Sequence, residues 1–253
     1  MPRFFVQPSA ISGDTVTLTG DNARHAAYSL RLAVGDHVTV CCDRVAYECK
    51  LVAFDGETVA GRIQSSAPAD TEPPYVAHLY QALPKGDKLD TVIQKAVECG
   101  VTEVIPFESS RCIVRAKPEA EARKTERRQR IAEEAAKQCG RGVIPTVRPT
   151  VTFAEALKAV EGVDLALFCY EGQDVTPLPA ILEMAGPALD TARAEGRIPE
   201  IAIFVGSEGG FSPEEAAAAR DAGCSMTGLG KRILRTETAS GFVLSCLIYA
   251  LEL

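Results

Sequence analysis

The chain has little from which to build a metal or redox centre. Its three histidines, His25, His37 and His78, join no constellation of other candidate ligands, and no Cys/His cluster has zinc spacing. The nine cysteines are scattered and odd in number, with no Cys-x-x-Cys pair. That pattern argues against a disulfide scaffold or a zinc module. It leaves reduced, mostly buried thiols in a cytosolic protein, and the adjacent Cys41-Cys42 fits strand packing. No apolar run reaches the length of a membrane helix, and Met1-Pro2-Arg3 does not open a secretory signal. Positive charge is short overall: a net charge of −7 argues against a surface coated throughout by nucleic acid. There is no internal repeat.

The strongest positive feature is Ile201-Ala202-Ile203-Phe204-Val205-Gly206-Ser207-Glu208-Gly209-Gly210-Phe211-Ser212-Pro213-Glu214-Glu215. A continuous apolar run suits a strand buried on both faces of a parallel sheet. Gly206, Gly209 and Gly210 let the backbone approach a ligand closely. Ser212 is an N-cap, Pro213 suits the first helical position, and Glu215 completes a capping box. A ligand there would sit at the carboxyl end of a strand, where open α/β sheets place their sites. Two familiar loops are excluded. A P-loop needs Lys followed by Ser or Thr after its last glycine, and the dinucleotide fingerprint needs Gly-x-Gly-x-x-Gly. Neither is present, and the acidic Glu208 inside the turn disfavours phosphate.

The first 65 or so residues read as short strands: 15–19, 37–41, 47–54 and 58–63, with turns at Val34-Gly35-Asp36 and Asp55-Gly56-Glu57. Even spacing of this kind predicts a small β-barrel, with a short helix over 21–31. Residues 65–74 are linker by composition. From Tyr75 strands and helices alternate, which predicts an α/β sheet with parallel pairs. Strands fall at 76–82, 101–107, 164–170 and 201–205. Leu89, Val92, Ile93, Ala96 and Val97 share one helical face that Gly100 ends, and a helix runs from Pro118 to near Gly140. Residues 183–199 read as a helix and a polar connector.

A second segment narrows the function. Gly228-Leu229-Gly230-Lys231-Arg232-Ile233-Leu234-Arg235-Thr236-Glu237-Thr238-Ala239 leads into an apolar terminal helix. Together with Lys85-Gly86-Asp87-Lys88, Gln94-Lys95-Ala96-Val97-Glu98-Cys99-Gly100, Pro2-Arg3-Phe4-Phe5 and Gln138-Cys139-Gly140-Arg141, it resembles the bacterial 16S ribosomal RNA uracil N3-methyltransferase family of the SPOUT superfamily. The resemblance covers nearly the whole chain. It implies a PUA-like RNA-binding β-barrel at 1–70 and an α/β SPOUT methyltransferase domain at 73–253 with a C-terminal trefoil knot. Periodicity alone points to an ordinary Rossmann-like sheet, because knots are rare.

The resemblance also implies S-adenosylmethionine as cofactor, 16S ribosomal RNA as substrate, a homodimer formed through the terminal helix, a cytoplasmic location, and neither metal nor membrane. Cofactor contacts are expected from Tyr170 and Glu171, from Gly206, Glu208, Gly209 and Gly210, and from Leu229, Gly230, Arg232, Ile233, Leu234 and Thr236. Apolar Leu229, Ile233 and Leu234 would sandwich the adenine ring. Methyl transfer to N3 of uracil requires alignment and loss of the N3 proton. Arg235 is the first candidate for a cation that stabilises the resulting imidate, with Glu208 and Glu237 as acids or orienters. A second role stands beside it: Arg235 pairing with Glu237 or Glu208 to hold the loop. Thr236 and Thr238 read as caps of the final helix.

The RNA face is expected to include Arg3, Lys85, Lys88 and Lys95, then Arg111 and Arg115, Arg127 and Arg128, and Gln138 and Arg141. Residues 111–148 carry eleven Lys and Arg against five Glu, whereas residues 149–253 carry seven against fifteen Asp and Glu. The basic run reads either as a phosphate-attracting surface or as a solvated helix that pairs its own charges, and the resemblance favours the first. Two positions depart from the family pattern: Ser207 replaces a usual proline, and Lys137 stands where acidic residues are common. Two other functions remain open at this level. One is a SPOUT methyltransferase acting on another RNA base or ribose. The other is a non-catalytic ribosome-assembly protein that binds RNA, which cofactor binding would separate from both.

Overall fold

The alternation in β3 (Thr15–Thr19) buries Val16 and Leu18, the behaviour of a strand with one face on a core. In the computed structural model, which describes residues 1–253, this strand belongs to a unit made of Met1–Glu72 and Ala136–Ile144. The unit's other elements are β1 (Arg3–Phe5), β2 (Ile11–Ser12), α1 (Gly20–Arg24), a π-helical turn at His25–Ser29, β4 (His37–Cys42), β5 (Val45–Asp55) and β6 (Thr58–Pro68). They form a six-stranded sheet in the order β1-β4-β5-β6-β3-β2. Phe4, Val16, Leu18, Val38, Val40, Cys49, Leu51 and Val59 make its core. The order has β1 and β2 at its two ends, a six-stranded sheet with no pair between those ends, where a small β-barrel is expected.

Two boundaries differ from expectation. Ser65, Ser66, Ala67 and Pro68, read as linker, continue β6 and pair with Glu48, Tyr47, Ala46 and Val45. Main-chain ladder bonds need no apolar side chain, so composition alone misreads such a segment. Residues 136–144, expected in the second domain, cluster with the first unit. Glu72 explains part of this: its carboxylate pairs with Arg141 and accepts from the amides of Gly142 (3.0 Å) and Val143 (3.2 Å).

The second unit, Pro73–Ala135 and Pro145–Leu253, is an α/β sheet. In chain order it contains β7 (Val76–Ala82), α2 (Lys88–Glu98), β8 (Glu103–Glu108), most of α3 (Pro118–Cys139), β9 (Thr146–Val147), β10 (Val151–Thr152) and α4 (Phe153–Lys158). β11 (Leu165–Cys169), β12 (Thr176–Pro177), α5 (Leu178–Ala194), β13 (Glu200–Val205), α6 (Pro213–Asp221), β14 (Ser225–Gly228) and α7 (Thr236–Leu251) follow. All its pairs are parallel, in the order β10-β8-β7-β13-β11-β14-β12, with β9 beside β8. β13 lies between β7 and β11, and Ile201 to Val205 are all buried, which accounts for the unbroken apolar run.

A phenylalanine cluster anchors the carboxyl end of this sheet. Phe168 of β11 lies 4.1 Å from the Phe211 ring and 5.7 Å from Phe204 of β13, which stacks on Tyr80 of β7 at 4.6 Å. Phe211 directly follows the glycine turn, so its burial fastens that turn to the core.

α7 packs against α2 and β13. The sequence suggests two apolar stripes on α7, one of Phe242, Val243, Cys246, Leu247 and Ala250 and one of Leu244, Ile248 and Leu251. The structure draws on both: Val243, Leu244 and Leu247 are buried. Phe242 and Tyr249 stay 43% and 78% exposed, so an apolar face of α7 remains open within the single chain.

Candidate active site

The site begins where β13 ends. Gly206 turns the chain, and a Cβ there would stand 3.1 Å from the Gly210 Cα and 3.3 Å from the Phe211 ring, so a side chain would crowd the turn where it folds back on itself. Ser207 and Gly210 form an isolated bridge, and Gly210 takes φ 62°, a left-handed value that favours glycine. Ser212 then caps α6: its side chain accepts from the Glu215 amide, while Glu215 Oε2 accepts from the Ser212 amide at 2.9 Å. The other Glu215 oxygen accepts from the Ser110 amide at 2.7 Å, and Arg111 donates to the Gly209 carbonyl at 3.1 Å. The β8–α3 loop therefore backs the turn. Arg115 steadies that loop by donating to the Ser109 and Ser110 carbonyls at 3.0 and 3.3 Å.

Three strand ends meet around one cavity of about 850 Å³: β11 with Tyr170–Gly172, β13 with Gly206–Phe211, and β14 with Leu229–Arg235. Every residue expected to contact the cofactor lines it. A Cβ at Gly210 or Gly230 would meet no protein atom within 4 Å, so at both positions bare backbone borders open space. Ile233 is 82% exposed and lines the cavity; it is not packed into the fold. Burial pushes the Cys169 thiol up to about 12, so this cavity residue stays protonated and inert. No group of three or more His, Cys, Asp or Glu side chains is placed to hold a metal ion.

The charged groups follow a pattern the sequence does not show. Lys88, at the start of α2, donates to Glu208 Oε1 at 2.7 Å and lies 3.7 Å from Glu237 Oε2. The Lys85 amide also donates to Glu208, at 3.2 Å. Burial works to raise the Glu208 carboxyl, but the Lys88 ammonium and the backbone amides outweigh it and hold the group below the usual carboxylate range. The same hydrogen bond raises the Lys88 ammonium above an ordinary lysine. Glu208 is thus ionised and Lys88 charged at neutral pH, so Glu208 is no proton donor. Lys88, placed on the RNA face by resemblance, stands in the cavity wall, and so does Arg111. Lys88 supplies the ion pair with the carboxylates that had been one reading of Arg235. Arg235 itself caps α7 with its backbone extended (φ −65°, ψ 152°) and lines the cavity.

The remaining residues of the expected RNA face separate into two groups. Lys85 and Gln138 are exposed; Lys95 is exposed and pairs with Glu98 at 2.9 Å, and Arg127 pairs with Asp90 at 2.7 Å. Arg128 and Arg141 do not match the expected surface role. Arg141 is 4% exposed and held by Glu72, and Arg128 is 8% exposed with Glu121 at 3.4 Å. Arg3 is half-buried and donates to the Arg141 carbonyl at 3.0 Å. A sequence shows that a guanidinium is present but not which way a helix face turns, so buried and solvated arginines look alike.

A parallel sheet whose strand ends carry a glycine-built cavity lined by carboxylates and cations is where an α/β protein holds a small-molecule ligand. The RNA methyltransferase domain family matches residues 71–248, and the chain belongs to that family. A ribosomal RNA small subunit methyltransferase E of Bacillus subtilis is 29% identical over 100% of this chain and 98% of its own length. One from Synechocystis is 31% identical over 99% of this chain and 78% of its own. Among solved structures, a ribosomal RNA small subunit methyltransferase E of Neisseria gonorrhoeae bound to S-adenosyl methionine aligns with TM-score 0.83 and 30% identity, covering 98% of this chain and 97% of that one. A putative methyltransferase of Legionella pneumophila in complex with the same cofactor aligns with TM-score 0.82 and 28% identity, covering 98% and 97%.

Proposed function

We propose that the chain transfers a methyl group from S-adenosylmethionine to N3 of a uridine in 16S ribosomal RNA of the small subunit. The observation that carries this reading is the cavity between the ends of β11, β13 and β14, with Lys88, Glu208 and Arg235 lining it and Glu237 3.7 Å from Lys88. Bare glycine backbone at 210 and 230 and apolar Leu229, Ile233 and Leu234 suit a flat adenine ring with polar edges. The bound cofactor supplies an activated methyl group on a sulfonium.

The chain's own residues do the rest. Lys88 neutralises Glu208 and keeps the turn from repelling an RNA chain. Glu208, ionised and in the cavity lining, is the carboxylate placed to take the N3 proton, while Glu237 Oε2, buried 3.7 Å from Lys88 Nζ, orients that lysine. Arg235 places a permanent planar cation where uracil becomes an imidate. The test is mass spectrometry of 16S ribosomal RNA from a strain lacking the chain, then complemented. Loss and return of one N3-methyluridine is expected. An unchanged nucleoside profile would overturn the reading, and loss of a different methyl mark would move the activity to another base or ribose.

We also infer a homodimer, a C-terminal knot and a cytoplasmic location. Phe242 and Tyr249 leave an apolar face of α7 open, and a second copy would cover it in an isologous contact. The Gly228–Leu251 segment follows β14, which lies between β11 and β12, and returns as α7 to α2 and β13, a path compatible with threading. No helix is long and apolar enough to cross a membrane, and a ribosomal RNA substrate supports the cytoplasmic location. Light scattering at micromolar concentration is expected to give twice the chain mass, and Tyr249→Glu to give the single mass. A monomeric parental protein would refute the dimer.

A further inference from the structure

Gln81 is the penultimate residue of β7 and fully buried, in register with Val205 of β13 and Pro106 of β8. A buried amide is costly unless its groups are bonded. Its Nε2 donates to Thr236 Oγ1 at 2.9 Å and to the Ala82 carbonyl at 3.0 Å, and reaches the Val205 and Gly206 carbonyls at 3.5 Å. Its Oε1 has no partner. A methionine would fill similar space without stranding an oxygen, so what the amide adds here is its Nε2 donor.

Thr236 Oγ1 carries one hydrogen and donates it to the Gly206 carbonyl at 2.6 Å. The lone pairs left on that oxygen accept from Gln81. The relay therefore runs from β7, through the first residue of α7, to the first residue of the glycine turn. Gly206 and Thr236 both line the cavity and belong to different walls of it, and Thr236 directly follows Arg235. Gln81 itself does not line the cavity.

We propose that Gln81 is a positioning residue for the cofactor cavity. Acting through Thr236, it holds the Gly206 turn and the Leu229–Arg235 loop at one separation, and so fixes both cofactor affinity and the placement of Arg235. The inference rests on the S-adenosylmethionine reading above. Gln81→Glu keeps the shape but puts an acceptor where Nε2 donates, facing the Thr236 lone pairs and the Gly206 carbonyl.

The test is isothermal calorimetry with S-adenosylmethionine on the full chain, with thermal melting of each cofactor-free variant. Gln81→Met and Thr236→Val are each expected to weaken binding about tenfold, the scale of one lost buried hydrogen bond. The double variant is expected to lose no more than the worse single, because both break one relay. Thr236→Ser, which keeps the hydroxyl, is expected to lose clearly less affinity than Thr236→Val. A folded Gln81→Met with parental affinity and only a lower melting temperature would make Gln81 merely structural and overturn the proposal. Fully additive losses would overturn the relay. If Gln81→Met does not fold, equal affinities for Thr236→Ser and Thr236→Val overturn it instead. A parental chain that binds no S-adenosylmethionine removes the underlying reading, and this proposal with it.

Discussion

Arg235→Ala is expected to slow single-turnover methylation about a hundred- to a thousandfold at saturating RNA and cofactor, the effect of losing one preorganised donor to a developing anion. The structure sharpens this expectation. Had Arg235 been the partner of Glu208 and Glu237, its removal would strand two carboxylates and loosen the loop. Lys88 holds that place, at 2.7 Å from Glu208 and 3.7 Å from Glu237. Arg235→Ala should therefore leave melting temperature and cofactor affinity near parental. Arg235→Lys keeps the charge and loses the planar fork, so it should recover only part of the rate. A stable Arg235→Ala that binds both ligands and methylates at the parental rate would remove Arg235 from the chemistry.

Gly209→Val should weaken S-adenosylmethionine binding about ten- to a hundredfold, from about 1–3 kcal/mol of overpacking. A Cβ at this position stands 3.0 Å from the Arg111 Cβ and 3.2 Å from the Arg111 carbonyl oxygen, which is backbone and cannot swing aside. The β8–α3 loop or the turn must then shift. Gly230→Val tests the opposite case. It meets no protein atom within 4 Å, but its φ of 98° is one a β-branched residue resists. Both losses should appear in calorimetry, with melting confirming a folded protein. Parental affinity in a folded Gly209→Val would take the turn out of the cofactor site.

Much of the second unit was legible because its signals are local. β7 was read with its observed bounds, and the expected helical face of α2 is the buried one. The capping box of Ser212 and Glu215 is present as spacing implied. What was missed involves distance or direction. Nothing near Lys88 indicates that its partner lies 120 residues on. Charge counting treated Arg127, Arg128 and Arg141 alike, and the fold exposes the first and buries the other two. Composition reads the end of β6 as linker because polar residues can pair through backbone alone.

By itself the sequence determined that the run 201–205 is a strand buried on both faces, where the chain must bend after it, and how the helix after the glycine turn starts. Those outcomes depend on dihedral preference, side-chain period and capping within a few residues. Only the tertiary structure decided what surrounds the cavity. The parallel order β7-β13-β11-β14 brings the ends of strands far apart in the chain to one edge. That order is set by packing of the whole unit, and it alone places Lys88 on Glu208 and buries Gln81 against Thr236.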